Sequence, residues 1–191
     1  GDFGCFSFYP TKNLAAAGDA GLVTARDPRH AEALRMLRHH GSRQTYLHER
    51  VGWNSRLDEL QAAVLRVKLA HLERFNEARR TVAARYRAAL AGADLVLPAE
   101  HGRGRHVYHQ FTIRSARRDA LREALASDGI ASSVFYPIAL HRQPAYAAAN
   151  PDLALPVSEL AAKEVLSLPI NPLLDAGSIE RIGARVREAL R

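Results

Sequence analysis

The chain has 191 residues, of which 47% are hydrophobic and 25% charged, as is typical of a soluble globular chain. No apolar run approaches the roughly 18 residues of a membrane-spanning helix, and we expect no secretory signal, so the sequence argues against a membrane protein and favours the cytoplasm. A single cysteine, Cys5, excludes an internal disulfide and a cysteine metal cluster.

The chain is basic, with a formal net charge of +7 and a sequence pI near 10.1. Such a charge raises nucleic acid as a partner. The arginines are scattered, however, and their clusters are no larger than the doublets Arg79-Arg80 and Arg117-Arg118. No aromatic-rich recognition module accompanies them. We therefore expect a solvated basic surface that helps to attract an anionic substrate, and no nucleic-acid binding.

The first predicted element is a short buried strand, Cys5-Phe6-Ser7-Phe8-Tyr9, which ends at Pro10. Cys5 is expected to be a small core residue. Lys12 follows and precedes a turn at Gly18–Gly21; the other lysines are Lys68 and Lys163. An ammonium among apolar neighbours is costly unless it is paired or bonded, and desolvation of a lysine favours Schiff-base chemistry. The alternative is a loop lysine that extends into solvent.

A second strand, Leu22–Thr24, and a capped helix are predicted next. Asp27 is a suitable N-cap and Pro28 a suitable first helical residue, and Gly41 ends the pattern. The pair His39-His40 falls in the last turn, where positive charge is favoured. We interpret both histidines as structural, because adjacent residues do not share a helix face and no third metal ligand is evident.

A polar loop over residues 42–56 leads into a second motif, the run Val51-Gly52-Trp53-Asn54-Ser55-Arg56-Leu57-Asp58-Glu59-Leu60-Gln61-Ala62-Ala63. Ser55 with Asp58 is a capping-box-like pattern, and a capped helix start is a place where an anion binds. The apolar spacing predicts helix from Arg56 to about Leu90, longer than an ordinary globular helix.

A linker and a second α/β unit complete the chain. Gly92, Pro98 and the run Gly102-Arg103-Gly104 mark the linker. Strands are predicted over 106–113 and 130–135, and helices over 117–127, 156–166 and 178–190. Strand and helix alternate, which is typical of a small α/β domain.

Two motifs make the chain similar to the DegT/DnrJ/EryC1/StrS family of sugar aminotransferases, which use pyridoxal 5'-phosphate (PLP). The run Ser7-Phe8-Tyr9-Pro10-Thr11-Lys12-Asn13-Leu14, with Gly18–Gly21, resembles the family's internal-aldimine segment; the run Gly52–Ala63 resembles its interface segment. The resemblance implies that Lys12 holds PLP covalently and that Ser7 contacts its phosphate. It also implies that Asn54 reaches the PLP phosphate of a partner subunit and that Arg56 lies at the substrate end of the site.

The segment Val134–Tyr146 resembles a part of the family that lies near the substrate. Tyr136 and His141 keep their places, which implies substrate-binding roles. Phe135 replaces the usual histidine and Ala139 a usual proline, so we expect the substrate contacts to differ there. For His141, a packed loop histidine satisfied by backbone groups is the alternative.

The resemblance implies an α/β fold, the C-terminal part of a fold type I PLP aminotransferase. The expected domains are the end of the large PLP-binding domain over 1–56, long linking helices with a bend over 57–92, and a small α/β domain over 93–191. In the family, the N-terminal half supplies the aspartate for the pyridine nitrogen, the ring stacked on PLP and a phosphate-binding helix N-terminus. The 191 residues alone are therefore not expected to complete a transamination.

The implied function is ping-pong transamination of a nucleotide-linked keto-sugar, with glutamate as the usual amino donor and a homodimer that shares its active sites. The Phe8–Leu14 segment looks most like members that act on 3-keto sugars. Lys12 favours transamination over dehydration, because related dehydratases carry histidine at that position. One alternative is a non-catalytic interaction or regulatory fragment of the family; another is a basic nucleic-acid-binding domain.

Overall fold

The computed structural model describes residues 1–191, and the chain divides into two compact units, Gly1–Glu73 and Arg74–Arg191. Both units mix helices with small antiparallel sheets, in agreement with the predicted α/β content. No helix combines the length and the apolar composition needed to cross a bilayer.

The first unit pairs two hairpins with two helices. Its elements are β1 (Phe3–Ser7), β2 (Gly21–Ala25), α1 (Pro28–Leu37), β3 (Ser42–Gln44), β4 (Leu47–His48) and α2 (Glu59–Leu69), and the start of α3 (Leu72–Ala89) ends it. Strand β1 runs antiparallel to β2, with Phe3 opposite Ala25 and Ser7 opposite Gly21. Lys12 therefore lies on the loop between these two strands.

The predicted first strand is present, but its predicted burial is wrong. Phe3, Phe6, Leu22 and Val23 are each about half exposed, and Cys5 is exposed rather than a core residue. The sheet has only two strands, and such a sheet cannot enclose its own faces within this unit. Apolar residues indicated the strand correctly without indicating what covers it.

The N-terminus of α1 follows the prediction, whereas its C-terminus comes earlier. Asp27 accepts a hydrogen bond from the Arg29 backbone N–H at 2.8 Å, and Pro28 is the first helical residue. The helix ends at Leu37, so the pair His39-His40 lies beyond it, and His40 has a positive φ of 56°. The predicted loop over 42–56 contains the β3–β4 hairpin, whose strands are too short to show a sequence period.

The predicted linking helix is two helices, α2 and α3, with a break at Ala70-His71. A bend was expected in this region, but no proline or glycine marks its position. The capping box is wrong: α2 begins at Glu59 after Asp58, which makes no side-chain cap. The backbone N–H of Ser55 instead donates to Arg38 O at 3.0 Å, so Ser55 belongs to the preceding segment.

The second unit contains the hydrophobic core. Its further elements are β5 (Phe111–Arg114), α4 (Arg118–Ser127), a 3₁₀ turn (Leu140–Arg142), α5 (Pro144–Ala147), α6 (Pro156–Glu164), β6 (Val165–Leu168) and α7 (Ala176–Ala189). Strands β5 and β6 are antiparallel, with Phe111 opposite Leu168. The fully buried centre includes Tyr86, Phe111, Ile113, Leu121, Leu125 and Val186.

Two strand predictions and one helix prediction in this unit need correction. The strand over 106–113 shortens to Phe111–Arg114, because Tyr108 has a positive φ of 41° and its N–H donates to the His106 ring at 2.9 Å. The strand over 130–135 reduces to one bridge, Ser133 to Ser167. Strand β6 begins inside the predicted helix over 156–166, because a short apolar run does not distinguish a buried strand from a helix end.

Candidate functional site

The loop between β1 and β2 carries Ser7 and Lys12 and is closed at its base by backbone hydrogen bonds. Phe8 N–H donates to Ala20 O at 2.9 Å, and Ala16 N–H donates to Phe8 O at 2.8 Å. Lys12 N–H donates to Tyr9 O at 2.8 Å, which closes a turn around Pro10. Ser7, the last residue of β1, accepts from Tyr9 N–H at 3.4 Å, a long contact that leaves its hydroxyl proton available.

Helix α2 binds the returning half of this loop at two points. The Gln61 side-chain oxygen accepts the Ala17 N–H at 2.7 Å. The Lys68 ammonium donates to Ala15 O at 2.6 Å. The sequence reasoning assigned no role to Gln61 or Lys68. Their spacing of two helical turns places both on one helix face, but no local pattern indicates which loop they contact.

The environments of the three lysines differ. Lys163 on α6 is exposed, and Lys68 is committed to the Ala15 carbonyl. Lys12 is half-buried, and its side-chain amine takes part in no hydrogen bond or ion pair. A half-buried amine without a hydrogen-bond partner is free to react with an aldehyde, as a Schiff-base lysine must.

The segment with Asn54 is held against the end of α1. Trp53 N–H donates to Leu37 O at 2.7 Å, and His40 N–H donates to Trp53 O at 2.9 Å. The two segments lie so close together that position 52 must be glycine, because a Cβ there would lie 2.2 Å from the Gly41 nitrogen. Gly41 in turn has a φ of 77°, which favours glycine.

Asn54 and Arg56 form a pair. Arg56 Nε donates to Asn54 Oδ1 at 3.1 Å, and both residues are exposed. Because the amide oxygen is occupied, the Asn54 NH₂ group is left to donate. No hydrogen bond joins this pair to Ser7 or Lys12, so within one chain the candidate residues of the first unit form two separate groups.

The two candidates of the second unit differ in exposure. Tyr136 is 83% exposed, and its φ of 57° lies in the left-handed region. His141 is buried, and its Nε2 lies 2.9 Å from Glu159 Oε1. The ring is thus satisfied by a carboxylate on α6 rather than by backbone groups. Sequence reasoning missed Glu159, for which no local pattern gave a signal.

The family-level comparison agrees with this geometry. A model of the DegT/DnrJ/EryC1/StrS aminotransferase family matches residues 1–187, and the chain therefore belongs to this family. The family that the two motifs predicted is confirmed.

Individual relatives agree. The chain is 48% identical over 190 residues to the UDP-N-acetyl-3-dehydro-alpha-D-glucosamine 3-aminotransferase of Acidithiobacillus ferrooxidans, a match covering 100% of this chain and 51% of the relative. It is 50% identical over 185 residues to the dTDP-3-amino-3,4,6-trideoxy-alpha-D-glucose transaminase of Streptomyces venezuelae, covering 96% of this chain and 49% of the relative. The chain thus spans about half the length of the curated relatives it matches.

A solved structure confirms the predicted fold. The structure of S. venezuelae DesV in complex with a ketimine intermediate matches with a TM-score of 0.94 and 49% identity, over 100% of this chain and 53% of that one. The α/β fold of the C-terminal part of a fold type I aminotransferase is therefore present, although several strand bounds predicted for it were wrong.

Proposed function

We propose that this chain serves in a PLP-dependent aminotransferase that transfers an amino group from an amino acid, with glutamate the expected donor, to a nucleotide-linked keto-sugar. The observation that carries the proposal is the amine of Lys12, which is half-buried and makes no hydrogen bond. It lies on a loop that hydrogen bonds connect to α2 and to the residue after β1. Names of relatives that specify 3-amino sugars linked to UDP or dTDP support carbon 3 as the aminated position.

The available side chains fit the aldehyde and the phosphate of PLP. Lys12 offers a free amine for the aldehyde, and Ser7 offers a hydroxyl donor for the phosphate at the end of β1. Asn54 offers an NH₂ donor. Its oxygen accepts a bond from Arg56, which fixes the orientation of the amide. Neutral and charge-assisted donors of this kind suit a phosphate dianion. None of these motif residues is a carboxylate for the pyridine nitrogen.

The division of labour among the residues follows from their chemistry. PLP, when bound, supplies the electron sink of the reaction. Lys12 Nζ would hold the cofactor and, once released as a neutral amine, would accept the proton of the amino donor's α-carbon and deliver it to the carbon of the former cofactor aldehyde. Ser7 and Asn54 bind phosphate oxygens. Arg56 orients the Asn54 amide and presents positive charge to an anionic substrate.

The substrate-binding proposal extends to the second unit with two distinct roles. The exposed Tyr136 phenol is free to contact a sugar or nucleotide. His141 is a weaker candidate for direct contact, because its Nε2 is bonded to Glu159. We also propose a homodimer in which Asn54 acts on the partner subunit's cofactor, and the exposure of Asn54 is compatible with that role. A cytoplasmic location stays a prediction from the sequence.

Covalent labelling tests the assignment of Lys12. After incubation with PLP, borohydride reduction and peptide mass mapping should place a phosphopyridoxyl group on Lys12 and not on the committed Lys68 or the exposed Lys163. The variant Lys12→Arg should lose the label, whereas Lys163→Arg, the matched surface control, should keep it. A label on Lys68 or Lys163 alone would contradict the proposal, and no label at all would favour a non-catalytic family member.

Subunit mixing tests whether Asn54 acts in trans. Lys12→Ala and Asn54→Ala each damage one part of the site, so each homodimer should be nearly inactive. A mixed dimer should regain up to about half of the activity per site, because one of its two sites then has both residues intact. Sugar amination with glutamate is the readout, measured on subunits in which these 191 residues are joined to an N-terminal half of the family. Mixed samples no more active than either parent would show that Asn54 does not act across subunits.

A further inference from the structure

Two side chains of α2 hold the loop that follows Lys12, and neither has an assigned role. We propose that Gln61 and Lys68 are positioning residues for Lys12, which fix its loop to α2 and keep the Lys68 amine occupied. This inference rests on the proposed function of Lys12. It adds that two hydrogen bonds, Gln61–Ala17 and Lys68–Ala15, determine that Lys12 and not Lys68 is the reactive lysine. We call these two bonds the polar clamp.

The clamp supplies side-chain partners to a carbonyl of the buried Ala15 and to the backbone N–H of Ala17, which is an exposed residue. Ala15 and Ala16 are 2% and 4% exposed, so their polar groups need partners within the protein. Ala16 N–H donates to Phe8 O, whereas the Ala15 carbonyl depends on Lys68 and the Ala17 N–H on Gln61. One anchor accepts and the other donates, and a lysine ammonium has no acceptor, so a lysine cannot take the place of Gln61. The register of α2 against the loop is fixed accordingly.

The fit around Gln61 is close on the loop side as well. A Cβ on Gly18 would lie 3.2 Å from Gln61 Nε2, closer than an ordinary van der Waals contact. A methyl group at position 18 would require the Gln61 amide to shift by a few tenths of an ångström. Gly18→Ala is therefore a second way to crowd the clamp without changing a residue of α2.

The clamp acts on Lys12 because the chain between them is short. Only Asn13 and Leu14 separate Lys12 from the pinned carbonyl of Ala15, so fixing Ala15 limits how far the Lys12 Cα can move. On the other side, the Tyr9–Lys12 turn and β1 hold the chain. Lys68 donates a hydrogen bond to a buried carbonyl, so its amine is not available to react with an aldehyde in place of Lys12.

Matched variants separate the clamp from general stability. Gln61→Met removes the acceptor at similar size, whereas Gln61→Glu keeps an acceptor oxygen. Lys68→Met removes the donor, and Lys68→Arg keeps one. Arg66→Met, on the exposed side of α2, removes the same charge as Lys68→Met without touching the loop. The full chain is used throughout.

The first measurement is amide hydrogen exchange resolved to Ala15–Ala17 in cofactor-free protein. Loss of a neutral hydrogen bond should speed exchange of the Ala17 amide about fivefold in Gln61→Met. The conservative Gln61→Glu and the control Arg66→Met should keep the native rate. Lys68→Met, which removes the second clamp bond without changing Gln61, should also speed Ala17 exchange, and it keeps the test decisive if Gln61→Met fails to fold.

The second measurement is the rate at which PLP and borohydride label Lys12. Gln61→Met and Lys68→Met should label several-fold more slowly, with Lys68→Arg restoring the rate, a rescue that simple destabilisation would not give. If Gln61→Met and Lys68→Met both label Lys12 at the native rate and both show native exchange of the Ala17 amide, the clamp is wrong. The proposed function is then unaffected. Labelling of another lysine in the unmodified protein overturns the proposed function, and Lys68 as that lysine overturns the clamp too.

Discussion

His141 shows how burial changes the role that a motif suggests for one residue. Its ring lies inside the second unit with Nε2 at 2.9 Å from Glu159 Oε1, and Arg142 Nε donates to the same oxygen at 3.1 Å. The hydrogen bond from His141, followed by that from Arg142, lowers the pKa of Glu159 below its usual value. This carboxylate therefore ties the 3₁₀ turn, Leu140–Arg142, to α6.

Replacing Glu159 should change how stability depends on pH. A lowered carboxyl pKa means that the stabilisation is complete above the ordinary glutamate pKa and is lost as the pH falls through the lowered value. Glu159→Gln should reduce the free energy of unfolding at pH 7 and flatten its decline between about pH 5 and 3. Urea unfolding at several pH values measures this. Glu180→Gln, an exposed position on α7, is the control, and identical pH profiles for the variant and the native chain would refute the role.

At the scale of elements, the glycine contact between the end of α1 and the Asn54 segment decides where Asn54 lies. A Cβ on Gly52 would come within 2.7 Å of both His40 C and Leu37 O, and backbone atoms of this kind cannot rotate away. The family motif thus contains glycine at this position for packing. This packing also determines the position of Asn54, two residues later.

Gly52→Ala should therefore affect both stability and cofactor retention. Overpacking of this kind costs about 1–3 kcal/mol of unfolding free energy. Displacement of Asn54 should also weaken the retention of PLP on gel filtration. Gly104→Ala, where an added Cβ meets nothing within 4 Å, is the matched control and should leave both quantities unchanged. If the Gly52→Ala protein is destabilised but retains PLP as well as the native chain, Asn54 does not contribute to phosphate binding.

The elements also show what sequence patterns can and cannot predict. Asp27-Pro28 predicted the start of α1 correctly, because capping is local chemistry. The motif residues Ser7, Lys12, Asn54 and Arg56 could be proposed from the sequence because each lies in a short contiguous run. By contrast, Gln61 and Lys68 meet the loop across 44 and 53 residues, a separation that no local period encodes.

At the scale of the whole molecule, hydrophobic burial is distributed unevenly. The large core cluster lies between Val82 and Val186, within the second unit. The first unit buries little beyond Ala15, Ala16, Met36 and Leu65, and its β1–β2 sheet exposes several apolar side chains. Since apolar burial is the main favourable term in folding, the two units should differ in stability.

Hydrogen exchange on the 191-residue chain should reveal that difference. Amides of β5 and β6, which contain the buried Phe111 and Leu166, should open only with global unfolding of the second unit. Amides of β1 and β2 should exchange at least about tenfold faster, because their sheet is short and has little packed against it. Mass spectrometry with peptide resolution measures both regions in one sample. Equal protection of the two sheets would mean that the polar contacts of the first unit, including the clamp on the Lys12 loop, stabilise it as strongly as the hydrophobic core stabilises the second.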